Sequence, residues 1–312
     1  MTLLLSACGG TASAAGSSGL TPTAAVSPTP QAGNGPSNNG LQTLPLLLRS
    51  AQAMQTITSV HIDATSHGTV QSSGGTLPVP PPQQATYTLT LHANVAVASQ
   101  QESGKVRLTL NQGQNKTNLA LTHVVSGQKL YYKVNTPSVQ GNQGTAAPQW
   151  IVLDLAALVN QQQALMAGNQ VQNLLPLLMQ HVTITDKGVT QVKGVQLHHI
   201  TVVLSQQDLD QMTANVAQPM TQQVLSSIHL LTPLQVDLFI NEGTSFLQQA
   251  MIRGQAQVNV DKLMGKGPMK QGDVGVPPHV LEVQMVTNIN FSRYNQPVQI
   301  HVPVVAGTQP QQ

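Results

Sequence analysis

Apolar and polar residues alternate with a period of two along most of this chain, a pattern that predicts strands. Between Tyr87 and Val97, the side chains Tyr87, Leu89, Leu91, Ala93, Val95 and Val97 alternate with Thr88, Thr90, His92 and Asn94. At about 3.3 Å per residue this segment spans ~36 Å, longer than a usual strand. Val106, Leu108 and Leu110 repeat the alternation, as do Leu119-Leu121 and Leu130-Tyr132-Val134 after turns marked by Gly113 and Gly127. Further strands are predicted at Trp150–Leu153, Val182–Thr185, Val195–Leu204, Leu234–Ile240, Phe246–Arg253, Gln255–Val260 and Val280–Phe291.

Helical spacing interrupts this pattern in a few places. Leu44, Leu47, Leu48, Ala51, Met54 and Ile57 predict an opening helix, and Leu155 to Met179 two helical pieces. Ser205, with Asp208 three residues on, forms a capping-box pattern that opens a helix carrying Leu209, Met212 and Val216. Pro219 breaks or restarts it, and Val224, Leu225, Ile228 and Leu231 extend the apolar face. Strands gathered in meanders, with helices confined to insertions, give an α+β class. The expected architecture is a large curved antiparallel β-sheet with helices packed on its concave face. A hollow lined by aliphatic side chains on both layers can hold an apolar ligand; ordinary core packing is the competing reading.

Composition sharpens the picture. Only 8% of the residues are charged and 3% aromatic, and the net charge is +2. With no basic run, nucleic acid is excluded as a partner. No apolar stretch reaches the ~18 residues of a membrane span. Sparse Phe and Trp leave less bulk to plug a large sheet, and Met166, Met179, Met212, Met220, Met251 and Met285 supply adaptable lining.

Cys8 is the single cysteine, so no internal disulfide is available. It lies in Leu5-Ser6-Ala7-Cys8-Gly9, which reads as a lipobox, the site of lipidation in exported bacterial precursors. Residues 1–8 are then a truncated lipoprotein signal. They lack a positive n-region and carry only a stub of apolar h-region, so the true start is expected upstream; a chance match is the alternative. Residues 9–40 are Gly, Ser, Thr, Ala, Pro and Asn with few large apolar side chains, and form a flexible tether. Residues 41–305 form a single domain, in which Pro78–Pro82 is a loop, and residues 306–312 a frayed tail. The expected location is extracytoplasmic, anchored to the cell membrane by lipid on Cys8.

Catalytic constellations are thin. The chain has three glutamates (Glu102, Glu242 and Glu282), and no nucleophile elbow, P-loop or dinucleotide fingerprint. Neighbouring strand residues face opposite ways, so His198 and His199 do not grip one ion. His61 and Asp63 share a face, with nothing nearby to complete a ligand set. The ten histidines are expected to be scattered at surfaces and edges, with no metal and no cofactor. A surface hydrolase would require a cleft with a buried His beside Ser or Asp.

Several segments resemble the LppX/LprAFG lipoproteins of mycobacterial type. They are the lipobox and spacer, Met54-Gln55-Thr56-Ile57-Thr58-Ser59-Val60-His61, Val192 to Val202, Val236-Asp237-Leu238-Phe239-Ile240-Asn241, and Asn290 to Ile300. The resemblance implies a half-barrel like that of the LolA/LolB carriers, with helices enclosing a lipid pocket. It also implies a non-catalytic role in carrying or presenting acylated lipids or glycolipids, alone or with an envelope transport partner. On the apolar sides of the long strands, Tyr87, Leu89, Leu91, Val95, Val106, Leu108 and Leu110 are the expected lipid-binding residues, with Met212 and Val216 closing the site. The rival expectation is a structural or sensory lipoprotein with a solid core, which binds a protein partner. No oligomeric state follows from the sequence.

Overall fold

A computed structural model describes residues 40–73, 84–135, 149–154, 182–215, 219–263 and 279–305. Cys8, residues 9–39 of the expected tether, the Pro78–Pro82 loop, the helical pieces expected over Leu155–Met179, Val216 and the tail lie outside them, and Gly40, expected to end the tether, opens a helix instead.

The opening helix α1 spans Gly40–Gln55, and two meanders follow. The first comprises β1 (Ser59–Ser73), β2 (Gln84–Ala96), β3 (Gln101–Gln112), β4 (Asn115–Ser126), β5 (Lys129–Asn135) and β6 (Ile151–Asp154). The second comprises β7 (Thr183–Val192), β8 (Val195–Leu204), β9 (Ile228–Ile240), β10 (Leu247–Asn259) and β11 (Val280–Ser292). Helices α2 (Gln206–Asn215) and α3 (Pro219–Ser226) stand between β8 and β9, and the short α4 (Val260–Leu263) follows β10.

All eleven strands join one sheet in the order β6-β5-β4-β3-β2-β1-β11-β10-β9-β8-β7. Every neighbouring pair is antiparallel. The meanders meet where β1 pairs with β11, and β6 and β7 are the two edges, so the sheet is an open half-barrel rather than a closed barrel.

Local chemistry explains the connections. Lys193 and Gly194 both have positive φ (52° and 82°), as a type I′ turn between β7 and β8 requires. Ser205 caps α2 as expected: its Oγ donates to Asp208 Oδ2 at 2.5 Å and accepts from the Asp208 N–H at 3.2 Å. Pro219 is the first residue of α3, where its missing N–H costs nothing. The turn after β11 is tied to the start of β1. Asn295 Oδ1 accepts from Thr58 N (2.7 Å), and Ser59 Oγ donates to Gln296 O (2.5 Å). Two of the segments that carried the family resemblance thus meet in space.

Three expectations about elements are corrected, and one strand is added. The central strand β1 was not read from the sequence. Its inward positions run Val60, Ile62, Ala64, Ser66, Gly68, so the apolar period fades halfway along. Helix α1 buries Thr43, Leu46 and Ser50 and leaves Leu48 exposed, because the Thr43 hydroxyl donates to Asp186 on β7 (3.0 Å). Ile228 and Leu231 belong to β9, not to a helix. Phe246–Arg253 and Gln255–Val260 are one strand, β10, with register shifts on either side of Gln255. Opposite that irregularity sits Pro233, which has no N–H for the ladder, and Thr232 Oγ1 instead accepts from Gln255 N at 3.0 Å.

The core lies on the inner face, defined as the side on which α1 packs. One cluster joins Ile57, Val60, Ile62, Ala64, Leu91, Ala93, Val95, Ala250 and Ile289; a second seats Leu46 of α1 on Ile200 and Ile240.

Candidate functional site

Antiparallel register brings the expected lining residues of β2 and β3 into one patch. Tyr87 pairs with Leu110, Leu89 with Leu108 and Leu91 with Val106, so all six side chains share the inner face. Leu121 and Val134 extend the Val106 row onto β4 and β5. Leu119, Ile151 and Leu153, on the same face toward the β6 edge, are exposed. Leu91 and Val95 are buried in the main core cluster, whereas Tyr87, Leu89, Val106, Leu108 and Leu110 are half-buried.

Met212 is buried on α2, a helix that packs against β9, four strands from β2 in the sheet order. The two parts of the expected site therefore sit on different parts of the sheet. Met285 shares the inner face, being paired with Gly68, while Met251 shares the outer face with its partner Asp237.

Two glycines shape the inner face by making room for rings. A Cβ at Gly68 would lie 3.0 Å from Tyr87 Cε1, and one at Gly104 would lie 2.6 Å from His123 Cε1. Each ring lies across the neighbouring strand and fills the place that a side chain would take. Tyr87 Oη and Ser66 Oγ are 3.3 Å apart, and His123 Nε2 lies 3.0 Å from Glu102 Oε1. The buried His123 and half-buried Glu102 thus place a polar pair within an otherwise aliphatic face.

His67, His92, His229 and His301 are exposed, as expected of surface histidines, but the other described histidines are at least half-buried. His61, His92, His123, His198 and His199 each contact a carboxylate. As expected, His198 and His199 face opposite ways. His198 bridges Asp186 (2.8 Å) and Glu242 (2.8 Å) beneath α1, and His199 reaches Asp237 (3.0 Å) on the outer face. Burial pushes the Asp186 carboxyl up, but bonds from Gly188 N, Thr43 and His198 outweigh it and hold the group below the usual carboxylate range.

Asp237 is the most heavily bonded carboxylate. It accepts from Thr201 Oγ1 (2.7 Å), Gln235 Nε2 (3.1 Å) and Arg253, and its side chain is 3% exposed. Burial again pushes the pKa up, and these bonds drive it far below the ordinary value. His199 also stacks on Phe239, with ring centroids 4.5 Å apart. Every member of this cluster lies on β8, β9 or β10, and it links two further segments that carried the resemblance. Its bonds stitch three strands together.

A Ser–His contact exists at the opposite end of the sheet, where Ser72 Oγ and His279 Nε2 are 3.0 Å apart. Asp261 Oδ2 accepts from the His279 backbone N–H at 2.8 Å and so fixes the entry into β11.

The fold of the described residues is an open antiparallel half-barrel with few helices. Among solved structures, the chain is similar to lipoprotein LppX of Mycobacterium tuberculosis at 13% identity and a TM-score of 0.37, covering 85% of this chain and 100% of that one. It is also similar to LprF of Mycobacterium bovis, at 15% identity and a TM-score of 0.40, covering 86% and 99%. A putative outer membrane lipoprotein-sorting protein domain of Vibrio parahaemolyticus matches at 7% identity and a TM-score of 0.23, covering 84% and 95%. No family model matches the chain, and no curated protein matches it.

Proposed function

We propose that this chain is a membrane-anchored envelope lipoprotein that binds acylated lipids on the inner face of its half-barrel and carries or presents them without catalysis. One observation carries the reading: the apolar patch of β2 and β3 is in register over three successive pairs, yet five of its six side chains, all but Leu91, remain half-buried. The main helix contacts of the described residues are with β7, β9, β10 and β11. An acyl chain laid along β2 and β3 removes its own methylenes and these side chains from water together. At ~0.8 kcal/mol per methylene, a chain of about fifteen faces ~12 kcal/mol in water. An apolar groove offsets most of that cost without any chemical step.

Lipid on Cys8 would hold the domain at the membrane. A tether of about thirty residues has an r.m.s. reach of roughly 30 Å, enough to scan the bilayer surface. A chain expressed from an upstream start is expected to incorporate radioactive palmitate, and Cys8→Ala to lose the label; equal labelling of both would remove the anchor.

Cargo binding is tested on the strands themselves. The double variant Leu89→Asp/Leu108→Asp puts two charges on the paired inner positions and is expected to lower uptake of a fluorescent acyl probe at least about tenfold. Thr88→Asp/Thr109→Asp, the same change on the outer face of the same strands, is expected to leave uptake intact. Equal uptake by all three proteins would place the lipid elsewhere.

A further inference from the structure

The outer face of β3–β5 concentrates positive charge that is dispersed in the sequence. Lys105 pairs with Thr122, and Thr122 with Lys133, so the two lysines flank a threonine in one row across three strands. In the next row Arg107 pairs with Ala120 and Ala120 with Asn135. Small side chains between long cations leave a depression of about 350 Å³, lined by all three basic residues.

No carboxylate lies on the outer face of β3, β4 or β5; Glu102, the one acid in these strands, faces inward to His123. The nearest acids on that side are Asp63 on β1, held by His61 and His92, and Asp154 on β6, paired in register with Lys129. Among the described residues, Lys105, Arg107 and Lys133 form no ion pair. Trp150, the single tryptophan of the chain, borders the patch with the Lys133 ammonium 5.1 Å from its ring centroid. On the same outer face, Tyr131 of β5 pairs with Val152 of β6 beside it, both half-buried.

We propose that this face, Lys105, Arg107 and Lys133 with Trp150, docks directly on an anionic membrane surface. Each part meets a different layer of a bilayer. The cations neutralise headgroup phosphates, and the indole sits at the interface. Docking there turns the β6 edge, one rim of the open half-barrel, toward the lipid. The inference is independent of cargo binding and of the anchor on Cys8.

The test uses the full chain carrying Cys8→Ser, so that no anchor contributes. It is expected to bind vesicles of phosphatidylcholine with phosphatidylglycerol, to bind phosphatidylcholine alone far less, and to release as salt rises. Replacing Lys105, Arg107 and Lys133 together with Gln is expected to weaken binding on the order of 100-fold, at about fivefold per cation. Replacing the exposed cations Arg49, Lys187 and Lys193 with Gln makes the same charge change and is expected to alter binding little. Trp150 reports on the parent without further mutation: its emission is expected to shift to the blue and to be quenched by brominated lipids. The proposal is overturned by absence of binding, by equal binding to both vesicle types, by equal losses in the two triple variants, or by binding that leaves Trp150 emission unchanged.

Discussion

Gly68→Ala is expected to lower stability by about 3 kcal/mol or more, from the addition of one methyl group. Gly68 lies in β1 between Tyr87 of β2 and Met285 of β11, on the seam where the two meanders meet. A Cβ there would stand 1.8 Å from the Gln284 carbonyl oxygen and 2.9 Å from its carbon. Those atoms are backbone, so no rotamer change relieves the clash, and β11 must move away from β1. The ring of Tyr87, 3.0 Å from the same point, closes the other side. At about 2–4 °C per kcal/mol for a domain of this size, thermal unfolding should shift down by roughly 10 °C. Gly243→Ala is the matched control, because its Cβ would meet only Asn241 Oδ1 at 3.4 Å; a change within about 0.5 kcal/mol is expected there. Equal melting temperatures for Gly68→Ala and the parent would contradict the β1–β11 register.

Asp237→Ala is expected to cost about 3 kcal/mol at neutral pH. The side chain is 3% exposed and takes bonds from Thr201, His199, Gln235 and Arg253, all of which lose their acceptor. Arg253 is 47% exposed and can turn to water, which keeps the loss at the low end of the range for a broken buried pair. The same site sets a pH dependence. The folded-state pKa of Asp237 is depressed, so its contribution is complete above the ordinary carboxylate value of about 4 and is lost as pH falls toward the depressed value. Asp63 and Asp186 are shifted in the same direction and add to the trend. Urea midpoints measured from neutral pH down to about 3 should therefore fall steeply for the parent and less steeply for Asp237→Ala. Parallel curves would show that Asp237 does not carry the acid sensitivity.

Long-range pairing separates what the sequence reveals from what it hides. Strands β2, β3 and β11 were legible because apolar residues recur at every second position, and the cap at Ser205 because its partner is three residues away. Strand β1 was hidden, since Ser66 and Gly68 interrupt its inward face and the ring that fills the gap belongs to Tyr87 on another strand. The buried face of α1 was misread for a similar reason: Thr43 and Ser50 look polar, but Thr43 has its partner 143 positions away in Asp186. Glu102–His123, Asp237–Thr201 and Asp237–His199 join residues 21, 36 and 38 positions apart, so no local spacing announces them. The basic face follows the same rule. No basic run exists, yet the β3–β4–β5 register sets Lys105 and Lys133 in one row.

The most direct test of the lipid-carrier reading is the mass of the gently purified full-length protein under native conditions. The expected spectrum shows bound species whose extra mass is released by organic extraction as acylated lipid, and which Leu89→Asp/Leu108→Asp abolishes. A parent protein that emerges lipid-free, and stays so after incubation with lipid extract, would contradict it.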